Sequence, residues 1–492
     1  MTSVVSNGHA IKPAAIDRAA EKRRRLHHDA DVLIVGAGIL GCALAVALGR
    51  QGRSVLLLES SLKEPDRIVG ELLQPGGVNA LEKLGLRDCL EDIDAIRVDG
   101  YYVTYFGQPV TIPYPRQSPG EALPEGRSFH HGRFVMKLRE AARSCPNVTI
   151  VETKATDLIT CSHTKQILGV DCVTKDQLRD CYFAHLTVVA DGYNSKFRKQ
   201  YHAHTPRVRS RFWGLELIDA DLPKPHFGHV LLSDKPPILV YQIGTRETRI
   251  LIDIPENLPS ASPKNGGIKS HLRHVVLPSL PKGIQPSFLE ALERGSLRSM
   301  PNSFLPAAPN KTPGLMILGD ALNMRHPLTG GGMTVAFNDV VFIRDFLSPE
   351  NVPDLADTNK VLQQLSVFHW QRKKASSVIN ILAQALYSLF AADGTSLPSP
   401  ISPTKLQSTK LTKKKTKTYA PSNAAASATS KSASSTAPSA SWAASSNAPW
   451  SYSGTSSPLP SSPSGLLSAM RRGINCRGRW CSACLFFTRR VW

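Results

Sequence analysis

A glycine fingerprint near the start of the chain is the first pattern that indicates a binding site. Gly36, Gly38 and Gly41 follow the apolar run VLIV, which predicts a buried parallel strand, and lead into a helix of small and apolar residues. In such a turn the first glycine permits the tight bend and the second lets backbone approach a pyrophosphate. The third allows close packing of helix on strand. The pattern predicts a dinucleotide whose phosphates lie at the helix N-terminus.

An acidic residue supports that interpretation. Glu59 follows a second strand predicted over Ser54–Leu58 and lies 18 residues after Gly41. A carboxylate there is expected to bind a ribose hydroxyl. The alternative is a glycine-rich turn without a ligand, which the order of strand, glycines, helix and acid disfavours.

Two more glycine-containing segments follow along the chain. LTVVADGYNSKFRK contains Asp191 and Gly192, and MILGDALNMRHPLTGGGMTVA contains Asp320, Gly332 and Met333. Asp320 could simply cap a helix, but its position after a predicted buried strand favours contact with a cofactor. At Met333, amides of a helix N-terminus could stabilise negative charge on reduced flavin. Together the three segments predict a flavin-binding monooxygenase in which separate loops hold different parts of one FAD.

The pattern of strands and helices around these loops predicts an α/β protein (α+β overall). It combines a Rossmann-like FAD-binding domain of the flavin hydroxylase type with an antiparallel-sheet substrate domain. The predicted division is a disordered basic arm (1–30), a discontinuous FAD-binding domain (31–100, 127–200 and 303–345), a substrate domain (101–126 and 201–302), C-terminal helices (346–393) and a low-complexity, basic, disordered tail (394–492).

The charge of the chain is unevenly distributed. Of the formal +20, residues 394–492 carry +13, from 7 Lys and 6 Arg with no Asp or Glu, so the rest carries +7. A basic tail and arm are compatible with an anionic membrane surface. No aromatic-interleaved basic face or nucleic-acid module is recognisable, so no nucleic-acid partner is predicted. Solvated termini without a partner are the simpler interpretation.

Cysteines and histidines indicate neither a disulfide framework nor a metal site. The scattered body cysteines fit a reducing, cytosol-facing environment. Cys481 and Cys484 form one isolated CxxC, and His130, His131 and His326 lack acidic or sulfur partners at useful spacing, so no metal is predicted. No secretory signal is visible, and no apolar stretch reaches the length that spans a bilayer.

Longer segments carry a specific resemblance. KEPDRIVGELLQPGG (63–77) and HPLTGGGMTVA (326–336), with FHHGRF, SMPNSFLP and INILAQALYSLFAAD, closely resemble the squalene epoxidase (squalene monooxygenase) family, the fungal form in particular. The resemblance covers about residues 31–393.

The resemblance implies an enzyme of sterol (ergosterol) biosynthesis. Reduced FAD would react with dioxygen to give a flavin hydroperoxide, and one oxygen atom would enter a terminal double bond of squalene to give (S)-2,3-epoxysqualene. Because the cofactor carries this chemistry, no protein nucleophile or metal is needed. The resemblance also implies a separate NADPH-dependent flavoprotein reductase as electron donor and a cytosol-facing place on the endoplasmic reticulum (microsomal) membrane.

Site roles follow from the resemblance by position. The implied cofactor-binding residues are Gly36, Gly38, Ile39, Leu40 and Gly41 in the phosphate turn, Glu59 and Ser60 at the ribose end, and Arg67, Arg139, Ala155, Asp191, Asp320, Gly332 and Met333 elsewhere. The implied catalytic residues are Tyr101, thought to orient the flavin side of the active site, and Gln74, through which it acts. As alternatives, Arg67 and Arg139 could form surface ion pairs, and Tyr101 could only pack in a strand.

The chain departs from the family pattern after Asp393. The family continues into hydrophobic C-terminal helices, which help to close the substrate cavity and attach the enzyme to the membrane. Here a Ser/Ala/Pro/Lys tract stands in their place, which resembles a shifted reading frame or a mispredicted exon. Two alternatives therefore stay open: an FAD-binding but catalytically impaired form with poor anchoring, or another lipid-directed flavin oxidoreductase.

Overall fold

A computed structural model describes residues 18–116, 118 and 120–390 of the chain, so the predictions for 1–17 and for the tail lie outside the described residues. The helices are α1 Arg18–His27, α2 Ile39–Gly49, α3 Pro75–Lys83, α4 His131–Arg143, α5 Arg198–Tyr201, α6 Gly267–His271, α7 Gln285–Arg294, α8 Gly332–Phe346 and α9 Thr358–Phe390. The strands are β1 Asp29–Val35, β2 Val55–Glu59, β3 Leu72–Leu73, β4 Ile96–Val98, β5 Gly100–Tyr105, β6 Gln108–Pro113, β7 Gly126–Ser128, β8 Val148–Glu152, β9 Lys154–Thr160, β10 Ile167–Val173, β11 Arg179–Val189, β12 Arg207–Ile218, β13 Phe227–Leu232, β14 Ile238–Gln242, β15 Glu247–Pro255, β16 Arg298–Phe304 and β17 Leu315–Ile317.

The first seven-stranded sheet has the order β8-β2-β1-β11-β10-β9, with β17 beside the C-terminal part of β11. Strands β8, β2, β1, β11 and β17 are parallel. Strand β10 is antiparallel to β11, and β9 is antiparallel to β10. The apolar run in β1 is buried, because helices such as α2 cover the sheet. The parallel arrangement brings the C-terminal ends of β1, β11 and β17 to one edge, where ligands bind in such sheets.

The second seven-stranded sheet has the order β16-β12-β15-β14-β13-β5-β6 and is antiparallel except for the pair β5 and β13. The residues Leu215, Ile250 and Ile252 on one face pack with helix α7 in an apolar cluster. On the other face, Phe212, Leu239 and Leu251 belong to a separate cluster. This second cluster faces the site described below.

Smaller elements join the two large sheets. Strands β3, β7 and β4 form a three-stranded antiparallel sheet. Helix α8 packs against α2 and α3, and the long helix α9 packs along α8. Among the described residues, no helix has the length and apolar character needed to cross a membrane.

Local predictions are corrected at two places. The disordered arm predicted for 1–30 is wrong for 18–30, because α1 docks through Arg24, which is 2% exposed. Its side chain donates to Thr149 Oγ1 and to the Pro146 carbonyl. The second strand, predicted over Ser54–Leu58, begins at Val55 and includes Glu59. Strands β5 and β6 join β12–β16 in one sheet, while the division into domains stays a prediction.

Candidate active site

The fingerprint loop contains two kinds of glycine. Two are needed for the packing of the protein itself, and one faces free space. Gly36 has φ of +107°, and a Cβ there would lie 2.6 Å from the Ala190 carbonyl oxygen. A Cβ at Gly41 would lie 1.9 Å from the Gly36 carbonyl oxygen. At Gly38 a Cβ would meet no atom within 4 Å. The open backbone at Gly38, at the N-terminus of α2, fits an approaching pyrophosphate.

Glu59 and Arg139 brace this loop from behind. The backbone N–H of Ala37 donates to Glu59 Oε2 at 2.9 Å, and Arg139 Nε donates to the Ala37 carbonyl at 2.9 Å. Arg139 also lies 3.5 Å from Glu59 and is buried. Arg139 is therefore no surface ion pair. It holds the loop in place, and Ser60, exposed at the strand end, donates to the other oxygen of Glu59.

Arg198 connects the second glycine segment to the third. Its guanidinium donates to the carbonyls of Tyr193 and Asp320, at 2.7 and 3.1 Å. Asp191 is mostly enclosed, and burial raises the pKa of its carboxyl although Ser195 opposes the shift. Its Oδ1 atom has no hydrogen-bond partner in the described part of the chain. A buried acceptor without a partner fits a ligand that brings a donor.

The third segment ends in the N-terminus of a long helix. Gly330 has φ of +59°, Gly331 caps α8, and a Cβ at Gly332 would meet nothing within 4 Å. The first amides of α8 therefore face open space beside Met333 and carry the positive end of the helix dipole. This end fits a flavin ring that gains negative charge on reduction.

Tyr101 and Gln74 meet in a buried hydrogen-bond network. The Gln74 side-chain amide donates to the Tyr101 hydroxyl and, at 3.1 Å, to the Thr329 carbonyl. The Tyr101 hydroxyl donates to the same carbonyl at 3.1 Å, and the Tyr114 hydroxyl donates to Gln74 Oε1 at 2.5 Å. Burial raises the pKa of Tyr101 above its usual range. The network fixes the turn that precedes the α8 glycines.

One cavity of about 240 Å³ brings most of these loops together. Of the predicted site residues, those that line it are Gly38, Ile39, Leu40, Arg67, Tyr101, Asp320, Gly332 and Met333. Its other wall comes from the second sheet, through residues that include Val230, Leu239, Tyr241, Leu251 and Met300. Arg67 lies with its guanidinium 5.5 Å from the Tyr193 ring and forms no ion pair within the described residues.

The remaining predicted residues lie behind the wall or away from it. Gln74, Glu59, Arg139 and Asp191 hold the lining loops, and Gly36 and Gly41 pack against backbone. Ala155 lies on β9 and packs against the core of the first sheet rather than at the cavity. Gly192, next to Asp191, does line it.

Comparisons with known proteins agree with this geometry. The family model described as squalene epoxidase matches residues 183–400. The squalene epoxidase of Aspergillus fumigatus is 75% identical over 393 residues, which is 80% of this chain and 82% of that protein. The chain belongs to the squalene epoxidase family. The enzyme of Schizosaccharomyces pombe is 48% identical over 364 residues, covering 74% of this chain and 79% of its own.

Solved structures of distant flavin enzymes share the fold of this family member. PqsL of Pseudomonas aeruginosa in complex with 2-aminobenzoylacetate superposes with a TM-score of 0.63 at 20% identity, over 74% of this chain and 97% of its own. The oxygenase of 2-methyl-3-hydroxypyridine-5-carboxylic acid gives a TM-score of 0.57 at 18% identity, over 74% and 93%. The predicted flavin hydroxylase fold, the family and FAD as its cofactor are confirmed.

Sequence reasoning missed the buried charges beside the cavity. Arg372 Nε donates to Asp339 Oδ2 at 2.8 Å, and both side chains are buried. Arg325 lies next to them and lines the cavity. Asp339 is on α8 and Arg372 on α9, so no spacing in the sequence links them. Only the location of Arg325 inside the third glycine segment could have drawn attention to it.

A second buried pair lies under the substrate-sheet wall. Arg249 donates to both carboxylate oxygens of Glu71, with distances from 2.9 Å, and the Tyr241 hydroxyl donates to Glu71 Oε2 at 3.2 Å. Burial raises the pKa of Glu71, and Arg249 opposes that shift. Because such a pair is costly to bury and costlier to break, it fixes how β15 meets the segment before β3.

Proposed function

We propose that this chain is a squalene epoxidase that uses FAD and dioxygen to convert squalene to (S)-2,3-epoxysqualene in sterol biosynthesis. The observation that carries the proposal is a cavity with two unlike walls. One wall is backbone of glycine loops that fit FAD, and the other is an apolar face of the second sheet. Bound FAD supplies the activation of dioxygen, one atom of which enters the alkene while the other leaves as water.

The cofactor wall binds through backbone groups and few side chains. The N-termini of α2 and α8 present amides beside Gly38 and Gly332, where pyrophosphate and flavin ring would lie. Arg67 and Asp320 line the same wall, and we assign them to cofactor contact. Tyr101, held by Gln74, is assigned to positioning the turn beside the flavin.

The substrate wall excludes water and binds a hydrocarbon through the apolar surface that both bury. Leu239, Leu251 and Met300 present apolar surface, and each buried methylene contributes about 0.8 kcal/mol. Tyr241 also lines this wall, but its hydroxyl is held by Glu71. Squalene has no polar group that could repay an unpaired donor, so a Tyr241 hydroxyl that is already bound to Glu71 suits it.

The proposal includes two further assignments. Electrons are expected from a separate NADPH-dependent flavoprotein reductase, because only one dinucleotide fingerprint is visible in the sequence. The chain is also assigned to the cytosolic face of the endoplasmic reticulum membrane. One face of α9 carries Val367, Trp370 and Ile381, all exposed, and Lys373 lies over the Trp370 ring. Exposed apolar and basic side chains on one helix face suit a surface of anionic phospholipid.

The test of the reaction uses the full chain with FAD, squalene, a competent reductase, NADPH and ¹⁸O₂. The proposal predicts epoxysqualene that carries one ¹⁸O atom, with no product when the reductase or FAD is omitted. A reduced prenyl product would instead support another lipid-directed flavin oxidoreductase. A yellow protein that forms no product with a reductase active on a related squalene epoxidase would contradict the proposal and support the impaired form.

The membrane assignment is tested by sedimentation with vesicles of neutral and anionic phospholipid. The Trp370→Gln variant should lose at least half of its vesicle-bound fraction. The matched control is Leu289→Gln, a change at an exposed apolar residue on α7, which should leave binding unchanged. Equal binding of all three proteins, or equal absence of binding, would remove α9 from the assignment.

A further inference from the structure

A cluster of buried charges lies where the third glycine segment meets α8 and α9. The α8 charge cluster is defined here as Asn323, Arg325, Asp339, Arg372 and Asn380. Two of its members are cationic and one is anionic, so its formal net charge is +1. Arg372 and Asp339 are each no more than 3% exposed.

Within the cluster the single carboxylate serves only one of the two arginines. Asp339 accepts from Arg372 at 2.8 Å. Arg325 is bound by neutral groups instead, since it donates to Asn323 Oδ1 at 2.5 Å and to Asn380 Oδ1 at 2.6 Å. No carboxylate among the described residues forms an ion pair with Arg325. Its charge is therefore held in place by amides, and the charges of Asp320 and Asp339 act on it only through space, without an ion pair.

The charge of Arg325 lies at the cavity and at a helix N-terminus. Arg325 lines the cavity together with Gly332 and Met333, and its Nη1 atom is 3.5 Å from the carbonyl of Gly331, the cap of α8. Desolvation and the neighbouring Arg372 lower the pKa of Arg325 to about 10, although the charges of Asp320 and Asp339 oppose the shift. It still carries its charge at neutral pH. Two positive sources, a guanidinium and a helix dipole, thus border the same cavity.

We infer that Arg325 and the α8 charge cluster set the redox balance of the bound FAD by stabilising the negative charge of its reduced form. The inference deepens the proposed function and rests on FAD as the cofactor, but not on squalene as the substrate. Reduction adds negative charge to the flavin ring, and a fixed cation nearby stabilises that state over the oxidised one. The amides of Asn323 and Asn380 hold Arg325 without neutralising it, which a carboxylate at either position would do.

The test measures the two-electron reduction potential of bound FAD, without squalene or reductase, in the full chain. In Arg325→Gln the ratio of affinities for reduced and oxidised FAD should fall about tenfold, which lowers the potential by about 30 mV. Arg325→Lys keeps the charge but loses the planar hydrogen bonds, so it should retain most of the wild-type potential even where its Tm falls. Arg246→Gln, at an exposed arginine paired with Asp219, controls for overall charge.

A second variant gives the opposite sign. Asp339→Asn removes the only carboxylate of the cluster and should raise the potential, although it also leaves Arg372 unpaired and lowers Tm. The absorbance of reduced flavin gives a further readout. In Arg325→Gln the pH at which the anionic form becomes neutral should rise by about one unit, since a tenfold change is one pH unit. Equal potentials in wild type and Arg325→Gln would overturn the inference, whatever either protein does with squalene. Parallel losses in Lys and Gln variants would show a purely structural cluster.

Discussion

The two walls of the cavity are built by different means. On the cofactor wall, backbone atoms of short contiguous turns do most of the binding, and side chains such as Arg139 act from behind. On the substrate wall, side chains from β13, β14, β15 and β16 meet across a sheet, and the buried Glu71–Arg249 pair fixes their framework. The cofactor wall should therefore be more sensitive to atoms added at its glycines than to changes of its side chains. The substrate wall should be more sensitive to changes of its side chains.

The largest expected effect is on the framework of the substrate wall. Arg249→Met leaves the Glu71 carboxylate buried without its partner, which costs about 3–5 kcal/mol of unfolding free energy. The comparison is Arg246→Met, which breaks the exposed pair with Asp219 and should leave the free energy of unfolding nearly unchanged. Denaturant unfolding of the full chain measures both. Similar losses in the two variants would mean that Glu71–Arg249 does not hold the wall.

On the cofactor wall, one added methyl group should weaken FAD binding without affecting the packing of the protein. Gly38→Ala adds a Cβ that meets no protein atom within 4 Å, so the apoprotein should keep its Tm. Because the methyl group lies where the pyrophosphate approaches, FAD affinity should fall about 100-fold, or about 2.7 kcal/mol. Fluorescence titration with FAD measures the affinity.

The neighbouring fingerprint glycine gives the opposite pattern and serves as the control. In Gly41→Ala the added Cβ would lie 1.9 Å from the Gly36 carbonyl, so the apoprotein itself should lose stability. Unchanged FAD affinity in a stable Gly38→Ala protein would show that the open space at this loop is not the phosphate site.

Tyr101 tests the link between the walls, since β5 belongs to the second sheet and Thr329 to the third glycine segment. Tyr101→Phe removes one buried hydroxyl, and the loss of about 1 kcal/mol of hydrogen bonding predicts about a fivefold fall in kcat. FAD affinity should stay within about twofold, because Gln74 still donates to the Thr329 carbonyl. A fall in FAD affinity as large as the fall in kcat would place Tyr101 in cofactor binding instead.

The difference between backbone turns on one wall and side chains on the other also decides what could be predicted from the sequence. The glycine loops were predictable because the backbone demands of a phosphate turn fall within a few neighbouring residues, as at Gly36, Gly38 and Gly41. Glu59 followed from its distance along the chain. The antiparallel substrate sheet was predicted, but Leu239 at the cavity and buried Ile243, which does not line it, look alike in an apolar segment.

Pairs that form only through tertiary structure had no local signal. Asp339 and Arg372 are 33 residues apart on separate helices, and each taken alone resembles a solvated charge on a helix surface. The helix α1 was missed for the same reason, since the burial of Arg24 depends on Thr149, far along the chain. The bridging role of Arg198 also depends on two carbonyls that only the fold brings together.

The last comparison is between one histidine on each wall, and it concerns how the free energy of unfolding changes as pH falls. Burial lowers the pKa of His131, on α4, to about 4, with Arg67 adding to the shift, and burial lowers that of His229, on β13, to about 4. Both line the cavity as neutral rings. The unfolded chain takes up protons near pH 6.5 and the folded chain does not, so stability falls as pH drops from about 6.5 towards 4.

At pH 5.5 each ring should account for about 1 kcal/mol of this loss relative to pH 7.5. His131→Gln or His229→Gln should each flatten the dependence of unfolding free energy on pH by that amount, and the double variant by about twice as much. Denaturant unfolding between pH 5.5 and 7.5 provides the measurement. The matched control is the same change at a histidine that is exposed in a turn and does not line the cavity, His163→Gln. If only His229→Gln flattens the slope, the two walls differ in dielectric environment as well as in construction, since a more hydrated cofactor wall would leave His131 closer to its ordinary pKa.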